Sequence, residues 1–372
     1  MKIEDLALKR STYKHLSDDE WRWFLQQVEG RERTADKLPT FAAFDDWWYP
    51  VRLSCEQCSS ELTAKYKASL VESREPRTKS TFVDLTAGYG VDTYFLSEQF
   101  AHTDYVEQNP ELCRIAGHNF SDKPISIHNT TAEAFLASAG LYDLIYLDPA
   151  RRDSHGGKVF RLEDCTPNVV ELLPELLKHG KRLMLKLSPM LDITQALNTL
   201  SAVTWDVHVV AIKNDVKEVL LLSGGNGTIT ALDLAEPKKA FVFTRNEEKE
   251  CPITYNLSPI TYLYEPNAAI LKAGAYKLVG ARFGLPKLDV NTHLYCSDLL
   301  VPDFPGRVWE IKSEGVKDER MKELNQANVL CRNYPLTPEA LKKKLHLRDG
   351  GTAFVIGCRV AGKPTLFYAE RL

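Results

Sequence analysis

From Thr81 onward, short apolar runs alternate with stretches of helical spacing, and this alternation constrains the fold more than any other feature of the chain. "TFVDLTAGYG" (81–90) leads into "VDTYFLSEQF", and "HTDYVEQNP" (102–110) leads into "ELCRIAGHNF". "PISIHN" (124–129), "DLIYLDP" (143–149) and "KRLMLKLSP" (181–189) continue the series. Strands separated by helices of this length need crossover connections, and the result is a parallel sheet covered on both faces. The run closes differently. "WDVHVVAI" (205–212) and "EVLLLSGG" (218–225) are joined by only five residues, too few for a parallel crossover, so these two strands are expected to pair antiparallel. The expected architecture is an α/β sheet, mostly parallel, ended by one hairpin.

The flanks read differently. Residues 1–79 are mainly helical, with "ESREPRTKS" as an exit linker. After the exposed-looking "DLAEPKK" (233–239) come short strands and one helix, expected over "EPNAAILKAGAYKLVG" with Pro266 at its first position. The last segment reads strand, helix, strand, helix, strand, strand, with Thr337 as N-cap and Pro338 in the first turn of its second helix. The expected division is 1–79, 80–236, 237–306 and 307–372.

Charge is distributed unevenly. The chain carries a net −3, yet from Leu324 to Leu372 eight Lys or Arg face three Asp or Glu, a local +5, so the preceding residues sum to −8. A basic module on an acidic body suits a polyanion such as RNA; a lysine-rich solvated surface is the alternative, and charge alone does not separate the two. "MKIEDLALKRSTYKHLSDDEWRWF" holds no apolar run suited to a signal peptide or a membrane span, which predicts a cytoplasmic protein. Eight scattered cysteines contain a single CxxC, Cys55 and Cys58, with no second pair to complete a zinc site; reduced thiols and no metal are expected.

Ligands of open α/β sheets bind beyond the carboxyl ends of the strands. The loop there is Asp84-Leu85-Thr86-Ala87-Gly88-Tyr89-Gly90, whose glycines let the backbone approach a ligand. A dinucleotide fingerprint requires a third glycine where Thr93 stands. A carboxylate, Asp84, instead precedes the first glycine, and its charge opposes a pyrophosphate and suits a cationic ligand such as S-adenosylmethionine. The second strand ends at Glu107, followed by Gln108, where an acid can accept from both ribose hydroxyls; its alternative is a charge near a helix N-terminus.

These segments resemble class I SAM-dependent methyltransferases over residues 80–225: "VDLTAGYGVDT" is similar to their first motif, "VEQN" to the second and "LDPA" to the fourth. The resemblance implies a Rossmann-like seven-stranded sheet. It implies that Asp84, Thr86, Ala87, Gly88 and Gly90 hold the methionine part, that Glu107 and Gln108 hold the ribose, and that Thr131 and Ala132 lie at the adenine. Thr131 departs from the acid usual at that position. The whole chain resembles a bacterial methyltransferase group with a C-terminal THUMP-like domain, through "EQCSSELTAKYKA" (56–68), "YLDPARRD" (146–153), "YEPNAAILKAG" (264–274) and "LCRNYPLTPEALKKKLHLRDGG" (330–351). That group implies a small ferredoxin-like domain over 237–306 and a THUMP-like domain over 307–372.

Asp148-Pro149-Ala150-Arg151 is similar to the D/N-P-P-aromatic loop of enzymes that methylate exocyclic base nitrogens. There the acid accepts a hydrogen bond from the amine, and the aromatic stacks on the base. Asp148 and Pro149 are kept, but Arg151 replaces the aromatic. Stacking then falls to the Arg151 guanidinium or to Trp47, Trp48 or Phe160; alternatively Arg151 and Arg152 clamp a phosphate, or one of them pairs with Asp153 or Asp143. Cys165 lies well past the loop, which argues against a cysteine nucleophile. Lys186 and Ser188, after the next strand, line the same pocket or, for Lys186, reach solvent as a strand-end charge. "DDWWYPVRLSCEQCSSELTAKYKA" is expected to form a lid, its tryptophans packed in the core or touching substrate. The function expected is a methyltransferase of an RNA base, in rRNA or tRNA. The alternatives are a small-molecule or protein methyltransferase, or an RNA-binding protein that has lost catalysis.

Overall fold

In the first of two compact units, residues 1–205 and 220–225, the strands β1 (Thr81–Asp84), β2 (His102–Glu107), β3 (Ile125–Asn129) and β4 (Leu144–Leu147) pair in parallel, with β1 flanked by β2 and β4. This computed structural model describes Leu6 and residues 10–71, 79–151, 161–255, 260–315 and 319–372, with Arg151 described by its backbone alone. Arg152, Asp153 and Phe160 therefore lie outside the described residues. After β4 a short ribbon, β5 (Ala150–Arg151) with β6 (Cys165–Thr166), precedes β7 (Leu183–Leu187), which lies parallel to β4. The order in this unit is β3-β2-β1-β4-β7 and then the last residues of β9 (Asp215–Ser223). Strands run outward from β1 to β3, and the chain then returns to the other side of β1. The switch point, where a ligand crevice opens, is therefore between β1 and β4.

The helices after β2 and β3 start where the sequence supplies a side-chain cap, whereas the helix after β1, Val91–Ser97, starts at Gly90 without one. Asn109 accepts from the amides of Glu111 and Leu112 ahead of the helix Pro110–Asn119, and Thr131 accepts from Ala134 ahead of Ala132–Leu136. In the N-terminal region, Ser17 and Glu20 form a reciprocal capping box at the helix Asp18–Thr34, and Ser60 caps Glu61–Leu70. This region is helical, as expected, and it packs by aromatic contact. Phe41 stacks on Trp47 with centroids 4.1 Å apart and meets Tyr94 edge-on at 5.0 Å. Trp47 also donates from Nε1 to the Tyr89 hydroxyl at 2.9 Å. Rings of this size each contribute roughly 1.5–3 kcal/mol on full burial, so this cluster is a major anchor of the N-terminal segment.

The second unit, 206–219 and 226–372, contains β8 (Trp205–Ile212) from Asp206 on and the first half of β9. The link between them is shorter than expected: the two residues Lys213 and Asn214, both at positive φ, with their amides donating to Asp233. Such a turn joins antiparallel strands, and the ladder absorbs three of the five linker residues. One strand escaped the sequence reading, β10 (Thr228–Asp233), parallel to β8; β11 (Phe241–Thr244), antiparallel to β10, is the first of the short strands expected after residue 239.

A second sheet follows in this unit, ordered β13 (Lys287–Asp289), β14 (Thr292–Ser297), β12 (Tyr262–Pro266), β15 (Gly306–Glu314), β18 (Lys363–Arg371), β17 (Ala353–Val360), β16 (Asn328–Arg332). It runs without a break across residue 306, because β12 pairs with β15. The expected helix over 265–280 is corrected: Pro266 ends β12, Asn267 caps Ala268–Ala273, and Gly274 at φ 84 terminates it before a second helix, Leu278–Phe283. Glu265, 1% exposed, pairs with the part-exposed Arg307 and Arg332, so two of the family-like segments meet in one ion triad around a buried carboxylate.

Candidate cofactor site

At the switch point lies a cavity of about 350 Å³, in the size range of small-molecule sites. Asp84, Thr86, Ala87, Gly88, Gly90, Glu107, Gln108, Thr131, Ala132 and Asp148, all expected from the sequence, line it together. Pro149 is half-buried beside it, and the Arg151 side chain lies outside the described residues.

Asp84 ends β1 and is 1% exposed. Its Oδ1 accepts from the Thr86 amide at 3.0 Å and its Oδ2 from the Thr93 hydroxyl at 2.6 Å. Thr93, in the place a dinucleotide fold reserves for glycine, thus orients the acid. Burial pushes the Asp84 carboxyl up to about 8, against the pull of these two donors, and the nearby Asp92 and Asp148 carboxylates add to the rise. A cation in the cavity reverses that cost.

The two glycines differ in role. Gly88, at φ +57, faces open space, and its amide donates to Glu107 Oε2 at 3.0 Å. Gly90, at φ +82, faces inward: a Cβ there would lie 2.7 Å from Phe120 Cζ, so this glycine serves packing and the helix start, not ligand approach. Glu107 Oε1 accepts from the Asn109 amide at 2.8 Å. Each oxygen is thereby oriented and keeps a lone pair for a hydroxyl donor. Thr131 uses its oxygen as a helix cap, with its hydroxyl proton still free to donate.

Several lining residues were missed. Ser54, Gln57, Cys58 and Ser59 come from the N-terminal segment, which forms one wall. Asp92 and Tyr146 also line it, and Asp92 Oδ2 accepts from both Ser59 Oγ and Tyr146 OH at 2.7 Å. Lys67, fully buried, places Nζ 3.2 Å from Asp92 Oδ1. Burial pushes the Asp92 carboxyl up, but Lys67, Lys186 and the two hydroxyls outweigh it and hold it below the usual carboxylate range. A lone acid in the otherwise apolar "VDTYFLS" was the available signal. The tryptophans are committed elsewhere: Trp47 is in the core, and Trp48 stacks on His118 at 3.8 Å with Arg114 over its ring. Cys58, half-buried, and Cys55, whose thiol burial pushes up to about 12, are free thiols donating to backbone carbonyls.

Asp148 directly follows β4, with its amide donating to Thr86 Oγ1 at 2.6 Å. Its Oδ2 is paired with Lys186, whose side chain is 14% exposed, so Lys186 turns inward and does not reach for solvent.

A parallel sheet switching direction at β1 and carrying an acid-first glycine loop defines the class I methyltransferase fold. Comparison with known proteins agrees. Residues 262–305 match a ferredoxin-like domain family and 306–371 a THUMP domain-like family. A presumed methyltransferase from Porphyromonas gingivalis W83, solved by crystallography, is 33% identical, with 96% of this chain and 92% of that one covered and a TM-score of 0.84. An uncharacterized S-adenosylmethionine-dependent methyltransferase of Mycobacterium tuberculosis is 22% identical over 91% of this chain and 92% of its own. The chain belongs to this family of class I SAM-dependent methyltransferases with ferredoxin-like and THUMP-like domains at the C-terminus.

Proposed function

We propose that the protein methylates an exocyclic nitrogen of an RNA base, in rRNA or tRNA, in the cytoplasm. One observation carries the methyl-donor half of this reading: the buried Asp84 in a cavity also lined by Asp92, Glu107, Glu133 and Asp148. Lysines pair with Asp92 and Asp148, so Asp84, Glu107 and Glu133 are left to oppose a pyrophosphate and favour a ligand with cationic centres. S-adenosylmethionine fits that donor set. Asp84 and the Gly88 backbone would hold its methionine part, with Thr86 and Ala87 lining the floor and Gly90 shaping the loop from behind. Glu107 and Gln108 would hold the ribose, and Thr131 and Ala132 the adenine edge. When bound, it supplies an electrophilic methyl whose transfer to a nitrogen lone pair leaves the C–S electron pair on sulfur as a neutral thioether and frees one proton from the nitrogen.

The chain's own contribution is positioning. Asp148 accepts a hydrogen bond from the acceptor amine at Oδ1 and takes the released proton there; Pro149 stiffens the loop that presents it. Arg151, next along, is assigned to stacking or phosphate contact.

RNA is favoured over a small molecule by the THUMP domain-like segment and its exposed lysines. Lys343 and Lys344 are solvent-exposed on the helix Pro338–Lys344, whereas Lys342 is paired with Asp349. In this reading 1–79 cover the cofactor, 80–236 bind it, 237–306 form the ferredoxin-like module, and 307–372 bind RNA. The test is transfer of labelled methyl from S-adenosylmethionine to total RNA from a strain lacking the gene. Label in RNA that vanishes with Asp148→Ala supports the reading. Label only in protein or metabolites overturns the RNA assignment, and no label with intact cofactor binding indicates lost catalysis.

A further inference from the structure

Lys186 and Asp148 sit at the carboxyl ends of neighbouring parallel strands, β7 and β4, and pair through Asp148 Oδ2. The Asp148 backbone is anchored independently by Thr86 Oγ1. Among the described residues, Asp148 Oδ1 has no hydrogen-bond partner. The Lys186 charge also helps to keep Asp92 below the usual carboxylate range, after the larger contribution of Lys67.

Resting on the function proposed above, we propose that Lys186 is a positioning residue for methyl transfer: it holds Asp148 Oδ2 so that Oδ1 alone is presented to the acceptor amine. The physical need is specific. Asp84, Asp92 and Asp148 crowd one bowl, and the first two are buried. Repulsion from the charged Asp92 would turn Asp148, the least buried of the three, out to solvent. A lysine at the end of the adjacent strand cancels that repulsion and takes one oxygen, which leaves a single acceptor with a fixed direction. A hydrophobic residue of the same length would fill the space without holding the carboxylate. Arginine would keep the charge with a different reach.

The test is a double-mutant cycle on Lys186→Met and Asp148→Asn, with Lys186→Arg as a charge-keeping control. Three readouts are taken: labelled-methyl transfer to total RNA, and calorimetric affinity for S-adenosylhomocysteine and for sinefungin. Sinefungin carries an ammonium where the cofactor carries its methyl. Lys186→Met is expected to slow transfer by about 10- to 100-fold at saturating substrate, with S-adenosylhomocysteine affinity within about threefold, and Lys186→Arg is expected to recover part of the rate. In the Asp148→Asn background, Lys186→Met has no further effect on transfer. It shifts sinefungin affinity by about tenfold with Asp148 intact and by less than about twofold in that background.

Additive effects, or a loss of S-adenosylhomocysteine affinity in parallel with rate, would overturn the assignment and make Lys186 a cofactor or folding residue. Absence of RNA labelling by the unaltered protein overturns the RNA reading alone, because the sinefungin cycle still reports the coupling. If Lys186→Met does not fold, Lys186→Gln carries the same cycle.

Discussion

Lys67 and Asp92 form an ion pair, 3.2 Å from Nζ to Oδ1, in which the lysine side chain is 0% and the aspartate 9% exposed. The lysine belongs to the N-terminal helix Glu61–Leu70 and the aspartate to the helix Val91–Ser97 behind the glycine loop. The pair ties the cavity's outer wall to its floor. Removing the lysine strands a buried carboxylate, so Lys67→Met is expected to destabilise the protein by about 3–5 kcal/mol. Adding Asp92→Asn removes the stranded charge and recovers part of the loss. Urea denaturation of the three proteins checks both statements.

Asp84 makes folding pH-dependent. Its carboxyl rises from an ordinary 3.8 to about 8 on burial, so between those values the folded protein holds a proton that the unfolded chain has released. Stability from this group therefore falls as pH rises through that window, and above it a charge stays buried. Asp84→Asn should flatten the slope: its melting temperature should change less than the unaltered protein's between about pH 6 and about pH 9. Binding of a cationic ligand should expel the proton. Calorimetry near neutral pH in buffers of different ionisation enthalpy should therefore register proton release, which disappears in Asp84→Asn together with a loss of roughly 100-fold in affinity.

Gly90→Ala tests the loop geometry. The residue's φ of +82 strains any side chain, and the added Cβ meets the Phe120 ring. A loss of about 1–3 kcal/mol in stability is expected. Gly88→Ala, also at positive φ, adds a Cβ that meets only the Thr86 carbonyl oxygen at 3.9 Å, so it should cost less in stability and more in cofactor affinity, and melting curves with and without S-adenosylhomocysteine separate the two.

Neutralising Lys343 and Lys344 together as glutamines should weaken RNA binding and lower the slope of log affinity against log salt by about one to two. Lys342→Gln should have the smaller effect, because Asp349 already balances its charge. Equal effects at all three positions would point to non-specific charge and not to a shaped RNA surface.

Much of the sheet was legible because its evidence is local. Apolar runs such as "DLIYL" and helix caps such as Asn109 and Thr131 act over a few residues, and the acid-first loop shows its own chemistry in order. The misses have a common cause. β10 is short and follows a stretch whose turn residues dominate its pattern, so its pairing partners alone reveal it. Pro266 suits a helix start by local preference, yet its strand position is set by pairing with Gly306.

The sequence by itself determined the alternation that forces a parallel sheet, the place where that sheet opens, and the acids presented there, since all three follow from neighbours along the chain. Only the tertiary structure decided which distant groups meet those acids. Lys67 on Asp92, Lys186 on Asp148, Thr93 on Asp84 and the N-terminal wall of the cavity are contacts between separate elements, and their identity depends on how buried charges are neutralised in three dimensions. Coulomb interaction across a desolvated gap is indifferent to sequence separation, and no local pattern records it.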